Sequence, residues 1–278
     1  MLSSIAVELQ SHILAHLPRR DLASVVRTSQ HFHAVGVKLL YRDVELHSLD
    51  QVEAFFQITS LLPQGSAVAS RHADAKEEQW KAIQTLEIDI TEAKTRGAPL
   101  ANLPRSFRGP GAAPFDLDRL VLLYRDDPTT LLPILQRFNP RELRLRRFNS
   151  LPGGSLEKRW LSATGWTNVA DLTLVARVRG KIKIYETSAI LAAVKSVTLV
   201  YHFWVTDADA SFVLSADVLI LTRMCPNLDG VRFRCFHCSG EQAIEKRIQR
   251  GLAGKPASFF SAVLAPAGSN VWGEKVER

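Results

Sequence analysis

The chain is poor in the features that mark secreted, membrane-embedded or disulfide-framed proteins. Its 278 residues include three cysteines, Cys225, Cys235 and Cys238. That is too few for a disulfide framework and points to a reducing compartment. The start, Met1-Leu2-Ser3-Ser4-Ile5, has neither the charged residues nor the apolar block of a secretory leader. No apolar run approaches the roughly 18 residues of a membrane span. Catalytic signatures are missing as well: there is no Gly-x-Ser-x-Gly, no paired Cys/His framework and no recognisable carboxylate dyad. The glycine clusters Arg108-Gly109-Pro110-Gly111 and Gly153-Gly154-Ser155 lack the Gly-Lys-Ser/Thr of a phosphate-binding loop and read as turns. The expectation is a cytoplasmic or nuclear protein that is not an enzyme, needs no cofactor and contacts no membrane.

What is present is an ordinary globular composition, 46% hydrophobic and 23% charged, which argues against wholesale disorder. The net charge of +7 is local. Residues 1–50 carry five Lys/Arg and five Asp/Glu, whereas residues 141–185 carry ten bases against Glu142, Glu157 and Asp171. One basic sector suggests one acidic partner rather than indiscriminate polyanion binding.

Residues 1–42 read as three helices. Ile5, Leu9, Ile13 and Leu17 recur in steps of four and Leu14 widens the stripe. Ser3 or Ser4 is the expected cap and Pro18 the stop. Asp21 is the expected cap of a second helix carrying Leu22, Val25, Val26 and Ser29 on one face, and Phe32, Val35, Leu39 and Leu40 continue toward Tyr41-Arg42. So small a unit must lean on the rest of the chain or on a partner.

After residue 42 an apolar–x–apolar triplet recurs: Val44-Glu45-Leu46, Leu86-Glu87-Ile88, Leu120-Val121-Leu122, Leu143-Arg144-Leu145, Leu172-Thr173-Leu174, Val197-Thr198-Leu199 and Val231-Arg232-Phe233. The triplets start 42, 34, 23, 29, 25 and 34 residues apart. Helix-like segments lie between most of them: Ser48–Leu62, Thr130–Phe138, Glu157–Ala163, Glu186–Val194 and Ser215–Met224. Pro133 delays or kinks the second of these. A strand followed by a helix at such intervals is the pattern of an irregular strand–helix solenoid. Pro63–Glu78 and Gly97–Pro114 read as loops, Glu241–Leu252 as a last helix, Ala257–Ala265 as a closing strand and Asn270–Arg278 as a tail.

The run from Ile5 to Leu22, with Glu8-Leu9, Ile13-Leu14, Leu17-Pro18 and Asp21-Leu22 in order, resembles the F-box motif. The continuation through Phe32 to Lys38-Leu39-Leu40-Tyr41-Arg42 is similar to the motif's end in many fungal proteins, where it leads into degenerate leucine-rich repeats. Ala6 stands where the family usually has proline, so a pre-organised first turn is missing. The resemblance implies an α/β protein with a three-helix F-box over 1–42 and a leucine-rich-repeat-like domain over 43–278. It implies docking to the Skp-type linker of an SCF-type cullin–RING ubiquitin ligase, through Ile5, Leu9, Ile13, Leu14, Leu17, Pro18 and Leu22, with a protein substrate held downstream.

In such an array the triplet's middle residue and the one after the triplet point to an exposed sheet face. That face would carry Glu45, Glu87, Val121, Arg144, Thr173, Thr198 and Arg232, then Asp89, Leu123, Arg146, Val175, Val200 and Arg234. Arg144, Arg146, Arg232 and Arg234, with Thr173 and Thr198, are the expected contacts for an acidic or phosphorylated substrate. The alternative is a linker-independent scaffold or nucleic-acid-binding repeat protein using the basic sector 141–185, where Trp160, Trp166 and Tyr185 interleave with the bases. No metal site is expected. Cys235-Phe236-His237-Cys238 has only half the spacing of a zinc site, and His12 and His16 read as a solvated helix face or the rim of the linker interface.

Overall fold

Three short helices open the molecule and a single parallel sheet follows them. The computed structural model describes residues 6–56, 77, 79–91, 114–125, 128–147, 161, 163–176, 189–202, 221–222, 224–236 and 256–264. Helix α1, Val7–Ala15, starts at Ala6, whose φ of −54° and ψ of 142° hold extended backbone with no side-chain cap. The expected caps Ser3 and Ser4 lie outside the described residues. Helix α2, Arg19–Val26, has Pro18 at its N-cap, so Asp21 is not the cap. It sits in the first turn instead, where a carboxylate faces the positive end of the helix dipole. Ser29 does not extend the α2 face: it caps α3, Gln30–Leu40, its hydroxyl accepting from the Phe32 N–H at 3.1 Å.

Leu14, Leu22 and Val26 form the centre of the helical unit, with Leu17, Val25, Phe32, Val35, Leu39 and Leu40 around them. Gly36 lets α3 approach α2 closely. A Cβ there would stand 2.6 Å from Val26 Cγ2, 3.4 Å from Leu22 Cδ1 and 3.6 Å from Leu14 Cδ1. Helix propensity alone would favour Gly36→Ala by about 1 kcal/mol. Overpacking against a stiff β-branched neighbour costs about 1–3 kcal/mol, so the net effect is a loss. In a Val26→Ala background the space is open and the same substitution becomes stabilising. Urea denaturation of the four variants checks this reversal of sign.

The strands are β1 Asp43–Leu46, β2 Thr85–Ile90, β3 Phe115–Tyr124, β4 Phe138–Arg147, β5 Asp171–Ala176, β6 Ser196–His202, β7 Gly230–Phe236 and β8 Phe260–Leu264. All pair in parallel and stand in chain order. The seven triplets fall in one register, Val44–Leu86–Leu120–Leu143–Leu172–Val197–Val231 across the sheet, with Phe260 of β8 next. A shared hydrogen-bond step sets this register. The Arg42 carbonyl accepts from the N–H groups of Gln84 and Thr85, that of Gln84 from Asp118 and Arg119, that of Ala170 from Lys195 and Ser196, and that of Lys195 from Asp229 and Gly230.

Between strands lie α4, Leu49–Phe56, a 3-10 turn at Pro128–Leu131 running into a helix at Leu132–Leu135, and a helix at Ala189–Ala193. The helix expected over 130–138 is shorter, because β4 begins at Phe138. Pro133 sits in its first turn, where the missing N–H costs little. The segments expected at 157–163 and 215–224 fall mainly outside the described residues, and those at 63–78, 97–114, 241–252 and 270–278 almost wholly so. One apolar cluster runs beneath the sheet from Val44 to Phe260 and takes in Phe56, Trp80, Phe138 and Trp166 from helices, loops and strand ends. Trp166 follows Gly165, whose φ of +71° is a glycine conformation. Its Nε1–H donates to the Leu135 carbonyl at 2.9 Å, and the Asn139 side-chain carbonyl accepts from the N–H groups of Thr167 and Asn168. Among the described residues no helix is long and apolar enough to cross a membrane.

Candidate docking and recognition surfaces

Among the described residues, helix α1 carries three of the four large exposed hydrophobic side chains. Val7 is 50% exposed, Leu9 57% and Ile13 44%. Among the described residues the other large exposed hydrophobic side chain is Val263, on β8. Leu9 and Ile13, four residues apart, share one side of the helix. Of the residues the resemblance assigns to a linker, these two face outward. Leu14 and Leu22 do not: both are buried in the helical core, because α2 and α3 close over that side of α1. Leu17 is half-buried against the same core, Pro18 is exposed at the α2 N-cap and Ile5 lies outside the described residues. Val7 lies outside the four-residue ladder and is exposed in the first turn of α1, although its seven-residue spacing from Leu14 sets it on that side of the helix.

Polar contacts tie the three helices to one another and to the start of β1. Gln10 is buried on α1, its Oε1 2.6 Å from His31 Nε2 on α3. The Arg19 guanidinium donates to the carbonyls of Leu40, at 3.3 Å, and Asp43, which ties α2 to the junction of α3 and β1.

The sheet face opposite the main core differs from the open platform the triplets suggested. Val121, Leu123, Val175 and Val200 form a second buried cluster there, and Arg144 and Arg146 are buried at 9% and 7% exposure. The physical reason is the apolar character of the middle of this face, which gathers four large aliphatic side chains over β3 to β6. Thr173 and Thr198 are half-buried, Arg234 is half-buried and Arg232 is exposed. Of the four arginines expected to contact a substrate, the exposed one is Arg232 on β7, beside the exposed Ser261 and Val263 of β8.

Glu142 organises the charge on this face. It is register partner of Arg119 and lies two residues from Arg144, so all three share one side of the sheet. Arg119 Nε donates to Glu142 Oε2 and Arg144 Nε to Glu142 Oε1, both at 2.6 Å. Burial is the largest single influence on the Glu142 carboxyl and pushes its pKa up, but the two arginines together outweigh it and leave the group below its ordinary value. Glu87, across Val121 from Arg144, is shifted the other way. Its partial burial raises it first, the charges of Glu45 and Asp89 raise it further, and His47 and Arg144 only partly offset them.

Cys225 is buried, and burial pushes its thiol up to about 11, which removes it from nucleophilic chemistry at neutral pH. Of the half-site spacing, Cys235 lies on β7 while His237 and Cys238 are outside the described residues. Among the described residues no group of three or more His, Cys, Asp or Glu converges on a point. Trp166 is core rather than a stacking surface, and Trp160 and Tyr185 are outside the described residues. No family model matches the chain, and comparison with curated proteins and with solved structures yields no match either.

Proposed function

We propose that the protein is a substrate-recognition adaptor of an SCF-type cullin–RING ubiquitin ligase, with 1–42 as its F-box and 43–278 as a degenerate leucine-rich-repeat-like domain. The observation that carries the reading is the apolar surface of α1. Val7, Leu9 and Ile13 stand in solvent on a helical unit that already has its own core, which is the surface expected of an element that docks on a partner. Parallel strands in chain order, with described helices between β1 and β2, β3 and β4, and β5 and β6, support the repeat-like reading of the second part. The adaptor supplies position rather than bond chemistry: a captured substrate experiences a raised effective concentration of the conjugating machinery. Its substrate site is centred on Arg232 and Arg234 with Thr198 beside them, suited to an acidic or phosphorylated segment.

The test is binding of purified Skp-type linker to wild type and to Leu9→Asp/Ile13→Asp. Both positions are exposed, so the variant keeps its fold, whereas substitutions at Leu14 or Leu22 would unfold the helical core. Loss of two central apolar contacts is expected to weaken binding by about thirtyfold or more. Wild-type binding should change little between low and high salt, unlike attachment through nucleic-acid phosphates. Equal binding by the two proteins, or none by wild type, would overturn the reading.

A further inference from the structure

His12 and His16 lie one turn apart on α1, on the exposed side of the helix. Spacing alone reads as a solvated face, but the structure adds a convergence. The two Nε2 atoms stand 3.4 Å apart, and the rings meet edge to face with centroids 4.7 Å apart and planes at 86°. Two imidazole nitrogens each about 2.0–2.1 Å from a tetrahedral ion are about 3.3–3.4 Å apart. Ligands at right angles around a tetragonal ion would need about 2.8–3.0 Å. The observed separation is the tetrahedral one. A single Nε2–H···Nε2 hydrogen bond between neutral imidazoles also accounts for a contact at this distance, and zinc takes its place when both rings hold their proton on Nδ1.

We propose that His12 and His16 form a two-point binding site for a zinc ion on the surface of α1. Both nitrogens offer a lone pair when the imidazoles are neutral, so acid displaces the ion. The protein supplies two ligands, since no third His, Cys, Asp or Glu converges among the described residues. Water fills the remaining positions. Leu9 and Ile13 share the exposed surface of this helix, so the ion places a double positive charge on it. Bridging residues one turn apart also staples the helix at its C-terminal end, where a cation is favoured by the helix dipole. The proposal stands on the histidine geometry alone and does not need the adaptor reading.

Titration calorimetry of zinc into the full chain, purified without a histidine tag, tests it against His12→Gln, His16→Gln and, as control, His33→Gln on α3. His12 and His16 are exposed, and unchanged circular dichroism in the absence of zinc verifies that the variants remain folded. The expected result is a binding event weakened at least tenfold by either α1 substitution and unchanged in the control. Nitrogen-detected histidine spectra should show both Nε2 atoms moving on zinc addition. Isotherms that are the same for wild type and His12→Gln/His16→Gln, with any residual zinc bound elsewhere, would overturn the site.

Discussion

Glu142→Ala is expected to lower stability by about 3 kcal/mol, while Arg119→Ala lowers it by less than about 1 kcal/mol. The asymmetry follows from exposure. The Arg119 side chain is 43% exposed and water replaces its partner readily, whereas the Arg144 side chain is 11% exposed and loses a charge-assisted hydrogen bond in a dry setting. Urea denaturation at neutral pH measures both. The pH dependence adds a second signature. Glu142 titrates below its ordinary value in the folded protein, so its contribution is complete above the unfolded carboxylate range and is lost as pH falls through the folded value. Glu87 is raised, so its contribution has the opposite slope: it is present below the unfolded value and lost as pH rises through the folded one. In wild type the two partly cancel. In Glu142→Ala the Glu87 slope remains, and stability between about pH 6 and pH 4 should fall less than in wild type.

Trp166→Ala is expected to cost about 3–5 kcal/mol, which corresponds to a fall in Tm of about 10 °C. The indole is 1% exposed, lies in the main cluster and satisfies the Leu135 carbonyl. Trp166→Phe keeps much of the volume but strands that carbonyl, so it should lose about 1–3 kcal/mol. Thermal denaturation of the two variants separates packing from hydrogen bonding. An effect of Trp166→Ala under about 1 kcal/mol would mean that segment 163–170 is not an anchor of the sheet.

The parts of the fold that depend on period were open to reading from the residues. Each apolar triplet lies on a strand, and the closing strand expected over 257–265 contains β8. Period-two alternation carries this because one face of the sheet is uniformly buried. On the opposite face position and chemistry disagree: position alone sends Leu123, Val175 and Val200 toward solvent, whereas their apolar side chains bury against one another. The ten-residue lengths of β3 and β4 are hidden by the polar pair Asp118-Arg119, which breaks the alternation in β3, and by Asn139 to Glu142, which carry no apolar alternation ahead of Leu143 in β4. Trp166 sits in an irregular segment, where no period points inward or outward. The Glu142 clasp was partly accessible. The offset of 23 residues between Leu120 and Leu143 also sets Arg119 opposite Glu142, so pairing follows once the triplets are aligned. On α1, a step of four found Leu9 and Ile13 but could not tell outward from inward, a distinction that depends on where α2 and α3 close.

The order of the strands has a mechanical consequence. Paired residues are separated along the chain by 42 positions at most, between Asp43 and Thr85, so no strand waits on a distant stretch of polypeptide to find its neighbour. Ladder bonds in such a sheet load one after another rather than all together. Tension applied at the β8 edge peels strands singly toward β1, and the helices at the other edge are the last to feel it.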